Sequence, residues 1–160
     1  MLSLTSVEER CAASIWTRIH PRFAIGQLGV FAVSVALLGL YAFHLVAFTA
    51  VYLSVVLKIA LMAGAIVTGS LWEHDVFGEW WFAEEFFVED VMTLNVFLLH
   101  LAVVVAFFTL PEAPGTVAGL LAFAYVMYAI NVAQYLAQHA RARAPAAQGA
   151  DRGKKPDVAA

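Results

Sequence analysis

Residues 48–71, FTAVYLSVVLKIALMAGAIVTGSL, and residues 88–110, VEDVMTLNVFLLHLAVVVAFFTL, decide the fold of this 160-residue chain. Each is close to the roughly 20 apolar residues that cross a bilayer as an α-helix. Two further apolar segments, at about 23–43 and 115–137, have a similar length. Backbone in lipid must satisfy its own hydrogen bonds, so helices are the expected form. The sequence therefore predicts an all-α polytopic membrane protein, in which short connections make four transmembrane helices an antiparallel bundle.

The composition of the whole chain agrees with a membrane protein. Hydrophobic residues make up 62% of it, against roughly 45–50% in soluble domains. Charged residues make up only 13%, and a soluble domain of this size could not bury so much apolar surface. The net charge of −3 argues against a nucleic-acid partner. The single cysteine, Cys11, excludes an intramolecular disulfide and a cysteine-based metal cluster.

Basic residues lie outside the four predicted helices, with Lys58 as the exception. The positive-inside rule then places both termini, and the connection between the second and third helices, in the cytoplasm. Residues 1–22 are predicted to be an interfacial segment, in which residues 6–19 form a short amphipathic helix anchored by Trp16. The transmembrane domain then spans residues 23–140. Residues 141–160 are rich in Ala, Gly, Pro and charge, which predicts a disordered cytoplasmic tail.

One connection is far more acidic than the rest of the chain. Residues 72–90, WEHDVFGEWWFAEEFFVED, contain seven carboxylates, and no lysine or arginine occurs between Lys58 and Arg141. Burying an unpaired charge is costly, so carboxylates beside an apolar phase should hold protons or face water. A cluster of acids that can hold protons beside a membrane indicates acid–base chemistry on an apolar substrate.

The same connection is rich in aromatic residues, and two accounts of them are open. In the first, they form an interfacial aromatic belt among solvated carboxylates. In the second, the segment folds back as a lid, whose rings wall a flat ligand and desolvate nearby carboxyl groups. The residues concerned are Phe77, Trp80, Trp81, Phe82, Phe86 and Phe87.

The third predicted helix carries the clearest polar pattern. Glu89, Thr93, Val96 and His100 lie on one helical face, with Asp90 beside them. His100 is then about 16 Å deeper than Glu89, at a rise of about 1.5 Å per residue. An intramembrane imidazole is either a functional group or a neutral histidine hydrogen-bonded to a neighbouring helix, and both interpretations are open.

Two more polar residues are predicted inside the membrane. Lys58 lies too deep in the second helix to reach the surface easily, so it needs a partner, a water-filled cavity or an anionic ligand group. Glu73 is roughly 22 Å further along that helix and cannot pair with Lys58 directly. Asn131 belongs to a polar stripe on the fourth helix, a pattern that more often joins helices than forms a site.

Residues 68–90, TGSLWEHDVFGEWWFAEEFFVED, resemble the 3-vinyl bacteriochlorophyllide hydratases of bacteriochlorophyll biosynthesis. The specific elements are TGxxWE, VFG and FFxED at these spacings. Supporting matches are SIWT at residues 14–17, Lys58, Leu99 with His100, and Asn131 with Gln134, so the similarity covers most of residues 8–140. The chain differs from the family's usual residues at His74, within residues 83–85, at Val88 and near Thr93.

The resemblance implies a hydro-lyase that converts the ring A vinyl group of a magnesium tetrapyrrole to a 1-hydroxyethyl group. Its place would be a bacterial inner membrane, cytoplasmic or intracytoplasmic and photosynthetic. Protonating the terminal vinyl carbon gives a delocalised cation, which water then attacks at the inner carbon. This chemistry needs a protonated carboxylic acid and a base, but no redox cofactor and no metal of the protein's own.

The resemblance also suggests which residues carry the reaction. Glu73, Glu89 and Asp90 are the candidate acid–base residues, with their individual roles open, and His100 could orient water or ligate the substrate's magnesium. Candidate substrate contacts are Lys58, Phe77, Trp80, Trp81, Phe82 and Asn131.

Two other functions stay open. A non-catalytic pigment-binding or assembly subunit of a photosynthetic complex would use the aromatic residues and His100 without paired acids. A small proton-coupled membrane protein would use the carboxylates as a relay, although only Lys58 and His100 continue a polar path across the bilayer. The chain could also bind other pigment-biosynthesis or photosynthetic membrane proteins.

Overall fold

The structure, a computed structural model, describes the backbone of residues 4–152 and the side chains of residues 7–137. Within that range its regular elements are five helices: α1 (Leu4–Ala13), α2 (Trp16–Ala42), α3 (Phe48–Phe77), α4 (Phe87–Thr109) and α5 (Pro114–Arg152). Helices α2, α3 and α4, and the Pro114–Ala137 part of α5, are each long and apolar enough to cross a membrane. The predicted all-α fold with four membrane spans is confirmed.

Several helices extend beyond the predicted apolar segments. Helix α2 begins at Trp16 rather than at residue 23, because a helix satisfies its backbone whether or not lipid surrounds it. Helix α3 continues past residue 71 to Phe77, so Glu73 is helical and the acidic connection shortens to residues 78–86. Gly78 ends α3 with φ at 84°, a left-handed conformation that glycine adopts without strain.

The ends of the chain differ from the predicted interfacial helix and tail. The predicted helix over residues 6–19 is interrupted at residues 14–15, where α1 gives way to α2. At the other end, α5 continues to Arg152, through part of the segment predicted to be disordered. Residues 153–160 of that tail lie outside the described residues.

The four long helices close into a bundle around an apolar core. Helix α2 packs on α3, α3 on α4, α4 on α5, and α5 on α2, and the short connections make sequential helices antiparallel. Val51, Val55 and Leu121 are among the fully buried side chains at its centre. A Cβ at Gly64 would collide with the ring of Phe23, so this glycine permits the close approach of α3 to α2.

Helix α1 is attached to the end of α3. The Ser14 hydroxyl, just after α1, donates to Asp75 Oδ2 at 2.8 Å, and Arg10 Nη1 donates to the Val76 carbonyl at 3.0 Å. These bonds place α1 at the end of α3. In the antiparallel bundle, the start of α2 and the start of α4 lie at the same end. That this end faces the cytoplasm, and that α1 lies along a membrane surface, stay predictions.

Candidate functional site

Two carboxyl groups from different helices meet beneath the α3–α4 connection. Glu73 comes from the end of α3 and Asp90 from the first turn of α4. Their carboxyl groups are close enough to hydrogen-bond to each other. Glu73 is only 5% exposed, whereas Asp90 is half-buried. Two adjacent negative charges repel, so a pair at this separation favours holding a single shared proton.

Consecutive backbone N–H groups of the connection bind this pair. The Phe82 N–H donates to Asp90 Oδ2 at 3.0 Å, and the Ala83 N–H donates to Glu73 Oε2 at 3.2 Å. Phe82 has φ at 61°, a left-handed conformation that costs a residue with a Cβ on the order of 1–3 kcal/mol. The two carboxyl groups thus bind a strained segment of the connection. The backbone of residues 82 and 83 is therefore part of the site.

His20 of α2 completes this end of the bundle from a third helix. Its Nδ1 lies 3.2 Å from Thr68 Oγ1 of α3. A Cβ at Gly69 would lie 3.3 Å from His20 Cε1, so the glycine leaves room for the imidazole. Thr68 and Gly69, the first two residues of TGxxWE, therefore contact His20. The glutamate of this motif, Glu73, belongs to the carboxyl pair.

Other residues of the same motif fix the surroundings of the pair. The Ser70 hydroxyl donates to the Trp80 carbonyl, which ties the connection to α3. Trp72 Nε1 donates to Thr17 Oγ1 at 3.0 Å, which ties α3 to the start of α2. The TGSLWE motif, residues 68–73, thus lies on α3, where some of its side chains contact α2 and others contact the connection. These contacts account for the spacing of its residues.

The aromatic residues near the pair divide into two groups. The rings of Trp72, Phe77 and Phe86 contact one another edge-on, with centroids 5.5–5.8 Å apart, beside the connection. Trp81, Phe82 and Phe87 instead form an exposed strip, with neighbouring centroids 5.9 and 5.8 Å apart. This exposed strip adjoins Asp90, because Phe82 also donates its N–H to that carboxyl group.

The remaining aromatic and acidic residues show that each account of the connection describes part of it. Trp80 is 58% exposed and stacks on His74 at 4.0 Å between ring centroids. Glu79, Glu84 and Glu85 are exposed, as the interfacial belt predicts. Glu73, in contrast, is covered by residues of the connection, as the lid predicts.

The structure does not bring Lys58 or His100 to the carboxyl pair. Both are 0% exposed at the centre of the bundle, and His100 lies about 15 Å from Asp90 along α4, at a rise of about 1.5 Å per residue. Lys58 Nζ lies 3.2 Å from the centroid of the Tyr128 ring and 3.6 Å from Met62 Sδ. His100 Nδ1 lies 2.7 Å from the carbonyl oxygen of Val96 in its own helix.

Two other predicted site residues lie near the pair. Glu89 is half-buried and immediately precedes Asp90. Asn131 Nδ2 donates to Thr93 Oγ1 at 3.4 Å, which links α5 to α4 about one turn beyond Asp90. His20 was not among the site residues predicted from the sequence. Nothing near His20 in the sequence marks it, because its position depends on contact between α2 and α3.

A comparison with protein families gives one match over most of the chain. The model described as 2-vinyl bacteriochlorophyllide hydratase (BCHF) matches residues 5–141. That range includes α1 from its second residue onward, all four apolar spans and every residue of the site described above. The description numbers the vinyl group 2 where the resemblance above numbers it 3, and both describe a vinyl bacteriochlorophyllide hydratase. Comparison with curated proteins and with solved structures gave no match.

Proposed function

Because the chain belongs to the 2-vinyl bacteriochlorophyllide hydratase family, whose enzymes are hydro-lyases of bacteriochlorophyll biosynthesis, we propose that it adds water to the ring A vinyl group through its Glu73–Asp90 pair. The observation that carries this proposal is the contact between a buried and a half-buried carboxyl group, each bound by a backbone N–H of the same connection. Such a pair can present one acid and one base to the same substrate.

The reaction balances with one proton held by the pair. The protonated carboxyl group transfers its proton to the terminal vinyl carbon, and the vinyl π electrons form the new C–H bond. The resulting cation is delocalised into the macrocycle, and a water oxygen attacks the inner carbon. The other carboxylate takes a proton from that water, so the product is a 1-hydroxyethyl group and the pair again holds one proton.

The exposed strip is the surface on which the macrocycle would lie. Aromatic rings pack well against a flat conjugated ligand, and Trp81, Phe82 and Phe87 are 43%, 36% and 54% exposed beside Asp90. Trp80 would extend this surface, and Phe77 would support it from the neighbouring ring cluster. Asn131, near the level of Asp90, would contact the substrate only if it enters between α4 and α5.

Lys58 and His100 could bind the substrate or its magnesium only if a group of the substrate reached the centre of the bundle. Glu89 keeps its proposed place as an acid–base residue because it adjoins Asp90 in the first turn of α4. We place the protein in a bacterial photosynthetic membrane, where its substrate class occurs and where other pigment-biosynthesis proteins are candidate partners.

Turnover in membranes tests the proposal. Membranes that contain the chain are supplied with a vinyl bacteriochlorophyllide, and a product heavier by one water is sought by mass. Glu73→Gln and Asp90→Asn should each reduce turnover by about a hundredfold or more, the usual size of a general acid–base contribution. Glu84→Gln and Glu85→Gln change exposed acids of the same connection and should leave turnover unchanged.

Two results would contradict the proposal in different ways. Unchanged turnover in both Glu73→Gln and Asp90→Asn would refute the carboxyl mechanism. Copurification with a photosynthetic complex at fixed stoichiometry, without turnover of the vinyl substrate, would support an assembly subunit instead.

A further inference from the structure

Each of the four long helices places one polar side chain at the centre of the bundle. These side chains are all buried, and they belong to Ser34 on α2, Lys58 on α3, His100 on α4 and Tyr125 on α5. This set of four, the central layer, lies where the two apolar clusters of the core meet. A polar group from every helix at one level is unusual in a membrane bundle, because polar groups there need partners.

Ring contacts join three helices within the central layer. The centroids of the His100 and Tyr125 rings are 5.7 Å apart. Lys58 Nζ lies over the ring of Tyr128, and the centroid of that ring is 6.4 Å from the centroid of the His100 ring. The ammonium group and the imidazole therefore contact the same aromatic ring of α5.

The central layer contains three buried polar atoms without a hydrogen-bond partner among the described residues: Ser34 Oγ, Tyr125 Oη and His100 Nε2. Ser34 follows Phe31 by about one helical turn, and the Phe31 ring contacts that of Tyr125 with 5.4 Å between centroids. The hydroxyl groups of Ser34 and Tyr125 are thus close, yet no direct hydrogen bond joins them. Buried polar atoms are normally paired, so three unpaired ones together indicate a bound polar molecule.

The hydrogen bond at Nδ1 determines what His100 offers to such a molecule. A backbone carbonyl can only accept, so Nδ1 carries the hydrogen that binds the Val96 oxygen at 2.7 Å. The imidazole is neutral, because a second cation beside Lys58 would be buried without an anion. The sequence has no acidic residue at positions 10–72 or 91–111. His100 Nε2 therefore presents an unshared electron pair to the central layer.

These groups select the chemistry of the ligand. The unshared pair of His100 Nε2 repels an anion, and the ammonium group of Lys58 repels a metal cation. A neutral molecule that both donates and accepts hydrogen bonds suits both groups, and water is the smallest such molecule.

We propose that the central layer is a water-binding site, in which one water molecule donates a hydrogen bond to His100 Nε2 and accepts one from the Tyr125 hydroxyl. Its second hydrogen binds Ser34 Oγ, which gives the water about three hydrogen bonds, the typical number for a buried one. This molecule is not the water that adds to a vinyl group, since His100 lies about 15 Å from Asp90 along α4. The site is therefore independent of the proposed reaction, and its test needs no turnover.

Hydroxyl-radical footprinting of the protein in lipid nanodiscs tests the site. A short X-ray pulse splits water into hydroxyl radicals, which oxidise the side chains next to a water molecule, and mass spectrometry locates the oxidised residues. Tyr125 should be oxidised although it is buried within the membrane-spanning part of the bundle. After exchange into water that contains heavy oxygen, the oxygen added to Tyr125 should carry the isotope.

Variants of the central layer separate a bound water from accidental exposure. His100→Leu removes the acceptor and should abolish the oxidation of Tyr125, whereas His100→Gln keeps an oxygen that can accept from water and should retain it. Ser34→Ala removes one partner and should reduce the oxidation. Asn95→Leu is the matched control on α4, because Asn95 is exposed and its amide donates to the Val91 carbonyl of its own helix. This control should leave the oxidation of Tyr125 unchanged.

Unfolding in mild detergent provides the second measurement. Ser34 and His100 lie on different helices and share no hydrogen bond within the described residues, so coupling between them indicates a shared ligand. The shift of the unfolding midpoint in Ser34→Ala/His100→Leu should be smaller than the single shifts combined. The inference is refuted if Tyr125 is not oxidised in the unmodified protein, if His100→Leu leaves its oxidation unchanged, or if the two shifts are additive. Stability that depends on halide concentration, without oxidation of Tyr125, would show an anion in the central layer and would equally refute a water site.

Discussion

Replacing Lys58 by methionine tests what a charge at the centre of this bundle costs. The Lys58 side chain is 0% exposed, and its described contacts are the Met62 sulfur and the faces of the Tyr128 and Phe31 rings. A desolvated cation–π contact contributes about 2 kcal/mol. A lysine at the centre of a membrane helix costs about 2.5–3.5 kcal/mol. Methionine fills a similar length and removes both effects, so Lys58→Met should stabilise the protein by about 1 kcal/mol.

The assay is reversible denaturation in mild detergent, with unfolding followed by the loss of helical signal. Tyr128→Phe, which keeps a ring under the ammonium group, should change the unfolding free energy by less than about 0.5 kcal/mol. A double-mutant cycle between Lys58→Met and Tyr128→Leu then isolates the energy of the contact. A loss of more than about 1 kcal/mol in Lys58→Met would refute the reasoning, because it would mean that favourable contacts outweigh the cost of burial. Increased stability with lost turnover would instead support Lys58 as a substrate contact.

Three further changes examine the end of the bundle that carries the carboxyl pair. Gly69→Ala places a Cβ 3.3 Å from His20 Cε1 and should lower turnover. The control Gly119→Ala has open space around its Cβ and should leave turnover unchanged. Equal turnover in the two variants would contradict the idea that Gly69 leaves the space that His20 needs. Phe82→Gly keeps the N–H bound to Asp90 and relieves the strain of φ at 61°, but it removes one ring of the exposed strip. Steady-state kinetics should therefore show a higher KM and an unchanged kcat. A fall in kcat alone would argue against the exposed strip as the binding surface. Ser14→Ala removes the 2.8 Å hydrogen bond to Asp75 and should cost about 1 kcal/mol, seen as faster hydrogen exchange in α1; unchanged exchange would show that Arg10 alone holds this helix.

Hydropathy predicted the four spans but not the full length of their helices. The apolar signal of α3 fades at Trp72, whereas the helix continues until Gly78 adopts a left-handed conformation. Its last turns carry Glu73, and this changes the site from an acidic loop to the end of one helix facing the start of another. Hydropathy measures the surroundings of a helix, and it cannot locate an end that a glycine determines.

The sequence could predict which residues of a single helix belong to the candidate site, but not the contacts between separate segments of the chain. Glu73 and Asp90 were identified, but nothing in the sequence says that the N–H groups of Phe82 and Ala83 bind them. His100 showed the reverse difficulty. Its depth predicted a functional group or a bond to a neighbouring helix, yet its Nδ1 contacts the Val96 carbonyl of its own helix, and its Nε2 is buried without a hydrogen-bond partner among the described residues.

The way in which the connection of residues 78–86 binds the pair restricts how this protein can change in length. Two adjacent backbone amides serve acids on different helices, so inserting or deleting one residue before Phe82 would shift both amides relative to Glu73 while Asp90 stayed in place. The turns at residues 43–47 and 110–113 carry none of these bonds. Functional variants should therefore tolerate changes in length at those two turns, and should keep the number of residues between Glu73 and Asp90 even where the side chains between them differ.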